Sequence, residues 1–485
     1  MSSLAPLRPV APERPPLAHE RPRLASERPH GLPVPATATG LAIPATIAAI
    51  VALSALLATI GTDARWLVAL GHVIFKTGSI PSGIPFAAAA TGHWSNSLVL
   101  AELVFEALEW GQGDRGLMIA QLVAVGIAMT ALARDASGAG AGERSTSRTL
   151  AIVALGAASS LVIVRVQLFS LALFPVVCAM LRADARNPSR RIWLVVPVLA
   201  LWSNLHGGAL LGLAVVLGYL ALSRSRREPR FAVAVALAAC ASLLLTPAGI
   251  GTIGYYHGLL TNVAAQRGEG MWSALSLSAP FDVILICAAL GLAFTARRAR
   301  PALWELVVAL ALAVMTVQAS RNGVWLLFFL APLAARGGRE RVGGRWAGLA
   351  PIVGVAAACA LCFAIARGPV ARGASPTIVK QAIAAAHGSP VLANDEIDEQ
   401  IAEAGGRIWA GNPIDAFSRA DQTDYLDFVD GSPGSLNAIG SAVSVVLATN
   451  GSASQQLLAR APLFKLVARD STASLYVRRS NVKST

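Results

Sequence analysis

Residues 61 to 110 put a dense set of polar side chains beside the first long apolar segment. Asp63 stands at the end of that segment. His72, Lys76 and His93 follow, with a Gly/Pro turn from Gly78 to Pro85 and a short helical stretch carrying Glu102, Glu106 and Glu109. Polar groups held at the mouth of a membrane bundle are costly to place, so they point to function before packing. Further along, Arg165 in LVIVRVQLFS and Arg321 in VQASRNGVW are single cations between apolar runs. Either alone could be snorkelling toward headgroups. Two of them on the same side as Asp63 and Glu102 suit an anionic ligand, because a guanidinium matches phosphate oxygens bidentately. In WSNLHGG, Trp202 to Gly208, a helix turns back through two glycines, and Asn204 and His206 sit at the turn where they can meet a polar ligand.

The elements that position these groups follow from composition. The chain has 485 residues, 55% of them hydrophobic and only 14% charged, with a mean hydropathy of +0.58. A soluble domain is nearer a quarter charged, so this is a multi-pass membrane protein. The net charge of +13 lies in short Arg-rich runs between apolar segments, the pattern of cytoplasmic loops. It does not form a basic face interleaved with aromatics, which excludes nucleic acid as the partner. The five cysteines lie inside apolar runs, and Cys359-x-x-Cys362 there reads as packing.

Apolar runs near 41–60, 116–134, 149–164, 168–182, 192–205, 207–223, 231–247, 281–297, 302–319, 323–336 and 346–367 predict about eleven transmembrane helices. The stretch 97–111 is also helical but carries three glutamates, which makes it a poor span. If it does not cross, the loops holding Arg144 and Arg148, Arg186 to Arg191, Arg224 to Arg230, Arg297 to Arg300 and Arg336 to Arg345 all fall on one side. That side is the cytoplasm by the positive-inside rule. The expectation is a multi-pass protein of the cell membrane, with a cytoplasmic N-terminus and an extracytoplasmic C-terminal region. Residues 1–38, rich in Pro and Arg, read as a disordered cytoplasmic tail. Residues 39–367 form the transmembrane module, with a first outer loop at 61–115.

After Arg367 the composition changes, and residues 368–485 read as a small α/β domain. Helices are expected at 376–387, 396–404 and 453–460, and strands near 390–393, 407–410, 442–448, 463–469 and 473–478. Asp421, Asp424, Asp427 and Asp430 are spaced by three; this is the pattern of a solvated helix face, with calcium or sugar binding as the alternative.

The order Asp63-x-x-Trp66, Gly71, Gly78, Ile80-Pro81, Pro85-Phe86, Thr91-Gly92, Trp94 and Glu102 resembles the first outer loop of bacterial GT-C-type membrane glycosyltransferases. The likeness continues through Arg165 with Phe169-Ser170, the Trp202 to Gly208 motif, Pro247-x-Gly249 and Arg321. Pro413 to Gly431 is similar to an element in the outer domains of the same group. The resemblance implies a GT-C-like bundle whose stretches 66–77 and 97–111 lie along the membrane. It also implies transfer of a sugar from a polyprenyl-phosphate donor to a cell-envelope glycan or other acceptor at the outer face. Asp63 matches the acid that serves as catalytic base. Glu102 would be a second catalytic carboxylate, and Arg165, Asn204, His206, Arg321, Lys76 and His93 would bind lipid phosphate or substrate. Where related sequences commonly place a second acid before Pro-Phe, this chain has Ile84, which puts a two-acid or metal-bridged site in question; a divalent cation stays open as a cofactor. A transporter or flippase of lipid-linked envelope precursors and a non-catalytic envelope scaffold remain alternatives. The first should show inverted repeats and broken midplane helices, and no such internal symmetry is visible.

Overall fold

The computed structural model describes residues 40–92, 94–338 and 349–479. The expected tail at 1–38 and His93 lie outside the described residues. The first segment is α1 (Ala42–Leu57), followed by β1 (Thr59–Ile60), α2 (Ala64–Thr77), α3 (Val99–Gln112), α4 (Asp114–Gly138), α5 (Glu143–Gly156), α6 (Ala158–Val162) and β2 (Ile163–Val164). The bundle continues with α7 (Leu168–Arg186), α8 (Val195–Ser203), α9 (Ala209–Leu222), α10 (Pro229–Ser242), α11 (Gly251–Thr261) and α12 (Val263–Arg267). It ends with α13 (Pro280–Ala296), α14 (Leu303–Gln318), α15 (Gly323–Gly337) and α16 (Ala350–Arg367).

Among the described residues, five helices are long and apolar enough to cross a membrane: α4, α7, α13, α16 and α9 with its following turn. The helices α1, α10 and α14 are apolar but shorter. The outer faces of α10, α13, α14 and α16 carry exposed large apolar side chains, among them Leu237, Leu290, Phe294, Leu310, Val355 and Phe363. Such a continuous apolar exterior is stable only against lipid. The centre is α15, whose residues Val324 to Ala335 are all buried. Several charges within the bundle are paired. Arg182 bonds Asp135 at 2.9 Å and Glu305 at 3.1 Å and donates to the Phe329 carbonyl at 2.7 Å, tying α7 to α4, α14 and α15. Removing one partner of such a group would strand a buried charge.

The run expected as one helix at 149–164 breaks. The chain passes through α5 and the one-turn α6, then extends as β2, which pairs in parallel with β1 through Thr59↔Ile163 and Ile60↔Val164. Two β-branched pairs at the ends of helices make this short ladder, and it brings Gly61 against the Arg165 side chain.

The C-terminal part contains α17 (Pro376–Ala386), β3 (Val391–Ala393), α18 (Asp395–Glu403), α19 (Arg419–Val429), α20 (Ser435–Ile439), β4 (Val445–Thr449), α21 (Ala453–Arg460), β5 (Phe464–Arg469) and β6 (Ala473–Arg478). Serines at 375, 418 and 452 accept from backbone N–H groups and start α17, α19 and α21. The sheet order is β3-β4-β6-β5, with β3 parallel to β4 and the other pairs antiparallel. The stretch 407–410, expected as a strand, makes only isolated bridges, from Ile408 to Val391 and to Ala87. The second bridge joins the C-terminal part to the first outer loop. Ala88 N–H donates to the Ile408 carbonyl at 2.9 Å and Ala89 N–H to that of Trp409 at 3.0 Å. Arg65 on α2 adds an ion pair to Glu403 at 2.6 Å.

Candidate active site

Asp63 precedes α2 with φ of 79°, in the left-handed region that a residue with a side chain rarely adopts. Its carboxylate does not cap the helix it precedes, the usual role of an aspartate there. Instead the C-terminal part holds it. The Asp63 N–H donates to Glu399 Oε1 at 2.8 Å, and Asn412 Nδ2 donates to Asp63 Oδ1 at 3.1 Å and to Glu399 Oε1 at 2.9 Å. A strained backbone held by converging bonds from a distant segment is a mark of a functional position.

Asp63, His206 and Arg321 line one cavity of about 380 Å³, together with Trp66, Trp94, Tyr255, Trp272, Trp325, Asn412 and Asp415. Trp66 and Trp94 meet edge to face with ring centroids 6.5 Å apart. The His206 Nδ1 lies 2.6 Å from Ser170 Oγ and accepts from the Gly208 N–H at 3.1 Å. Trp202 Nε1 donates to the same Ser170 oxygen at 2.7 Å, and Nδ1, accepting from the Gly208 N–H, carries no proton of its own. The ring proton is thereby on Nε2. Burial, with Arg321 nearby, pushes the imidazole down to about 3. His206 is thus a neutral donor.

Arg321 lies on the turn between α14 and α15, 4.8 Å over the Trp272 ring. Burial and Arg165 lower the guanidinium from its usual value, and Asp63 opposes that shift. The same Arg321 lines a second cavity of about 390 Å³ with Arg165, Ser159, Ser160 and Ser320. Arg165 Nη1 donates to Met271 Sδ at 3.0 Å, and its buried Nε has no hydrogen-bond partner. Gly61 leaves the space it occupies: a Cβ there would come within 3.0 Å of that Nε and collide with Ile163 Cγ2. Arg165 therefore stands beside the Asp63 cavity, across Arg321.

Other expected residues lie elsewhere. Glu102 is fully buried and takes both Asn96 Nδ2 contacts, at 2.9 and 2.8 Å, and is not among the lining residues of either cavity. Burial pushes its carboxyl up to about 7. Lys76 is exposed in the last turn of α2 and lines neither cavity. The Asn204 amide donates to the carbonyls of Ala200 at 2.8 Å and Leu245 at 2.6 Å, fastening the end of α8 to the chain after α10. Ile84 is buried and its N–H bonds Thr91 Oγ1 at 2.8 Å. Among the described residues no group of three or more His, Cys, Asp or Glu side chains could hold a metal. Asp427 pairs with Arg267 at 2.9 Å, and Asp421 accepts from the Ser418 hydroxyl at 2.6 Å, as a solvated helix face does.

No family model and no curated protein matches the chain by sequence. Solved structures do match. ArnT from Cupriavidus metallidurans bound to undecaprenyl phosphate aligns over 90% of this chain and 97% of its own, with a TM-score of 0.50 at 14% identity. The same protein in the apo state aligns over 90% and 96%, with the same score and identity. The chain shares the fold of ArnT. Within that fold, sequence reasoning did not reach Glu399, Asn412 and Asp415. Asn412 immediately precedes the Pro413–Gly431 element and Asp415 lies within it, but the three-residue spacing that marks a pattern there begins only at Asp421.

Proposed function

We propose that this protein is an inverting glycosyltransferase that moves a sugar from a polyprenyl-phosphate donor to a cell-envelope acceptor at the outer face of the membrane. The observation that carries the reading is the convergence of Asp63, His206 and Arg321 on one cavity, with Asp63 held in a strained conformation by Asn412 and Glu399. ArnT, whose fold the chain shares, has been solved with undecaprenyl phosphate.

In this reading Asp63 is the general base. Asn412 occupies Oδ1, so Oδ2 takes the proton of an acceptor hydroxyl as that oxygen attacks the anomeric carbon. The polyprenyl phosphate leaves from the opposite face. General-base action is worth about two to four orders of magnitude. The leaving phosphate gains charge on its oxygens, and Arg321, Arg165 and the neutral His206 Nε2–H supply cations and a donor without having to reorganise. The cavity shared by Arg165 and Arg321, with its serines, suits the phosphate. The aromatic cavity beside Asp63 suits the sugar and the acceptor. Glu102 takes no part in the chemistry, because its carboxyl is closed off by Asn96.

The reading includes a topology of about eleven spans, with a cytoplasmic N-terminus, α2 and α3 along the outer surface, and residues 368–485 outside. The test is transfer from a polyprenyl-phosphate sugar by reconstituted protein, with loss of transfer in a folded Asp63→Asn variant.

A further inference from the structure

We propose that the loop 412–415 of the C-terminal part is the sugar-binding wall of this cavity, and that the Asp415 carboxylate accepts hydrogen bonds from hydroxyls of the donor's sugar ring. The inference rests on the lipid-linked donor reading and adds the sugar subsite.

Asp415 lines the same cavity as Asp63, although the two are 352 residues apart in sequence. Its Oδ2 accepts from Trp94 Nε1 at 3.1 Å. No ion pair holds Asp415 among the described residues, where Arg65, Arg182 and Arg267 all find carboxylate partners. Burial, offset by the Trp94 donor, pushes its carboxyl up to about 6. It is therefore an acceptor that has given up much of its water and has the Trp94 ring N–H and its own backbone N–H in exchange. A hydroxyl-bearing ligand supplies the missing donors.

The loop is built to hold position. Gly411 packs so closely on the Asp398 carboxylate that a Cβ would collide with it, and Tyr425 Oη donates to that carboxylate at 2.7 Å. Ala416 and Phe417, just after the loop, are buried. On the other side α11 packs against the loop at ordinary contact distance, a Cβ at Gly258 lying 3.6 Å from that of Asp415. The cavity is thus divided by charge. Arg321 stands toward Arg165 and attracts phosphate, whereas Asp415 and Asp63 repel it. Carboxylate acceptors beside indole rings suit a sugar, whose hydroxyls donate and whose C–H faces lie on aromatic surface.

The experiment measures lipid binding by native mass spectrometry to full-length protein in nanodiscs. The probes are undecaprenyl phosphates carrying glucose, galactose, mannose, N-acetylglucosamine or arabinose. The sugarless reference is the undecaprenyl ethyl phosphate diester, which keeps the phosphate charge the same. Wild type is expected to prefer at least one sugar-bearing lipid over the reference. Asp415→Asn should cut that preference by about tenfold or more, as expected for losing hydrogen bonds to a charged acceptor. Asp415→Glu, a second variant that retains a carboxylate, should keep part of it. Arg321→Ala should weaken all the lipids in parallel. An unchanged preference in folded Asp415→Asn, or no preference in wild type, would overturn the proposal. If wild type binds neither the reference nor any sugar-bearing lipid, the donor reading itself fails, a result distinct from loss of the sugar preference alone.

Discussion

Replacing Glu102 by Gln should stabilise the protein at alkaline pH and leave transfer intact. The Glu102 side chain is fully buried, and burial outweighs the Asn96 donor to bring its carboxyl up to about 7 from 4.5. Below pH 4.5 the group is protonated in both the folded and the unfolded chain. As pH rises through 4.5 the unfolded chain releases its proton, while the folded chain keeps it until about pH 7. Folded stability therefore falls across that interval and holds a constant deficit above it. A shift of this size corresponds to a deficit of about 3 kcal/mol. Gln cannot ionise and still offers Asn96 an acceptor oxygen. The assay is a thermal melt of wild type and Glu102→Gln in detergent at pH 5 and pH 8, with transfer measured alongside. The variant should melt near wild type at pH 5 and clearly above it at pH 8, with transfer within a few-fold of wild type. Equal destabilisation at both pH values would refute the burial argument. Abolished transfer in a variant with a normal melt would return Glu102 to the chemistry.

His206→Ala should lower transfer by about a hundredfold, the cost of removing one preorganised donor at a developing charge. Because the imidazole is held down to about 3, the activity of wild type should show no step near the ordinary histidine value; such a step, lost in the variant, would contradict the neutral-donor assignment. Asn412→Ala removes the bond to Asp63 Oδ1. It should lower kcat about tenfold, because the base is no longer held in line; a change in KM alone would mean Asn412 does not position the base.

The parts legible in the sequence are those whose signal is local. Asp63 could be singled out because it interrupts the end of a long apolar run; α3 and most of the apolar helices follow from hydropathy and charge placement, and α2 from the family resemblance. The helical 149–164 reading failed at Ile163 and Val164, where a two-residue ladder with Thr59 and Ile60 wins over continued helix. No periodicity can be read from two residues. Glu102 was grouped with Glu106 and Glu109 on one amphipathic helix, but α3 packs so closely on α2 that a Cβ at Gly71 would strike the Glu102 carbonyl. That contact removes Glu102 from solvent and leaves its side chain to Asn96. Glu399, Asn412 and Asp415 reach the site from more than 330 residues away along the chain, through the pairing of Ala87 to Ala89 with Ile408 and Trp409. Long-range closure of this kind leaves no pattern in a single sequence.

The central claim is that Asp63 takes the acceptor's proton. It is tested most directly by sugar transfer from a polyprenyl-phosphate donor in proteoliposomes, comparing wild type with Asp63→Asn at matched lipid binding and matched thermal melt. The account predicts that the variant still binds the donor lipid and that transfer falls by at least about two orders of magnitude. Transfer at the wild-type rate in folded Asp63→Asn protein would contradict it.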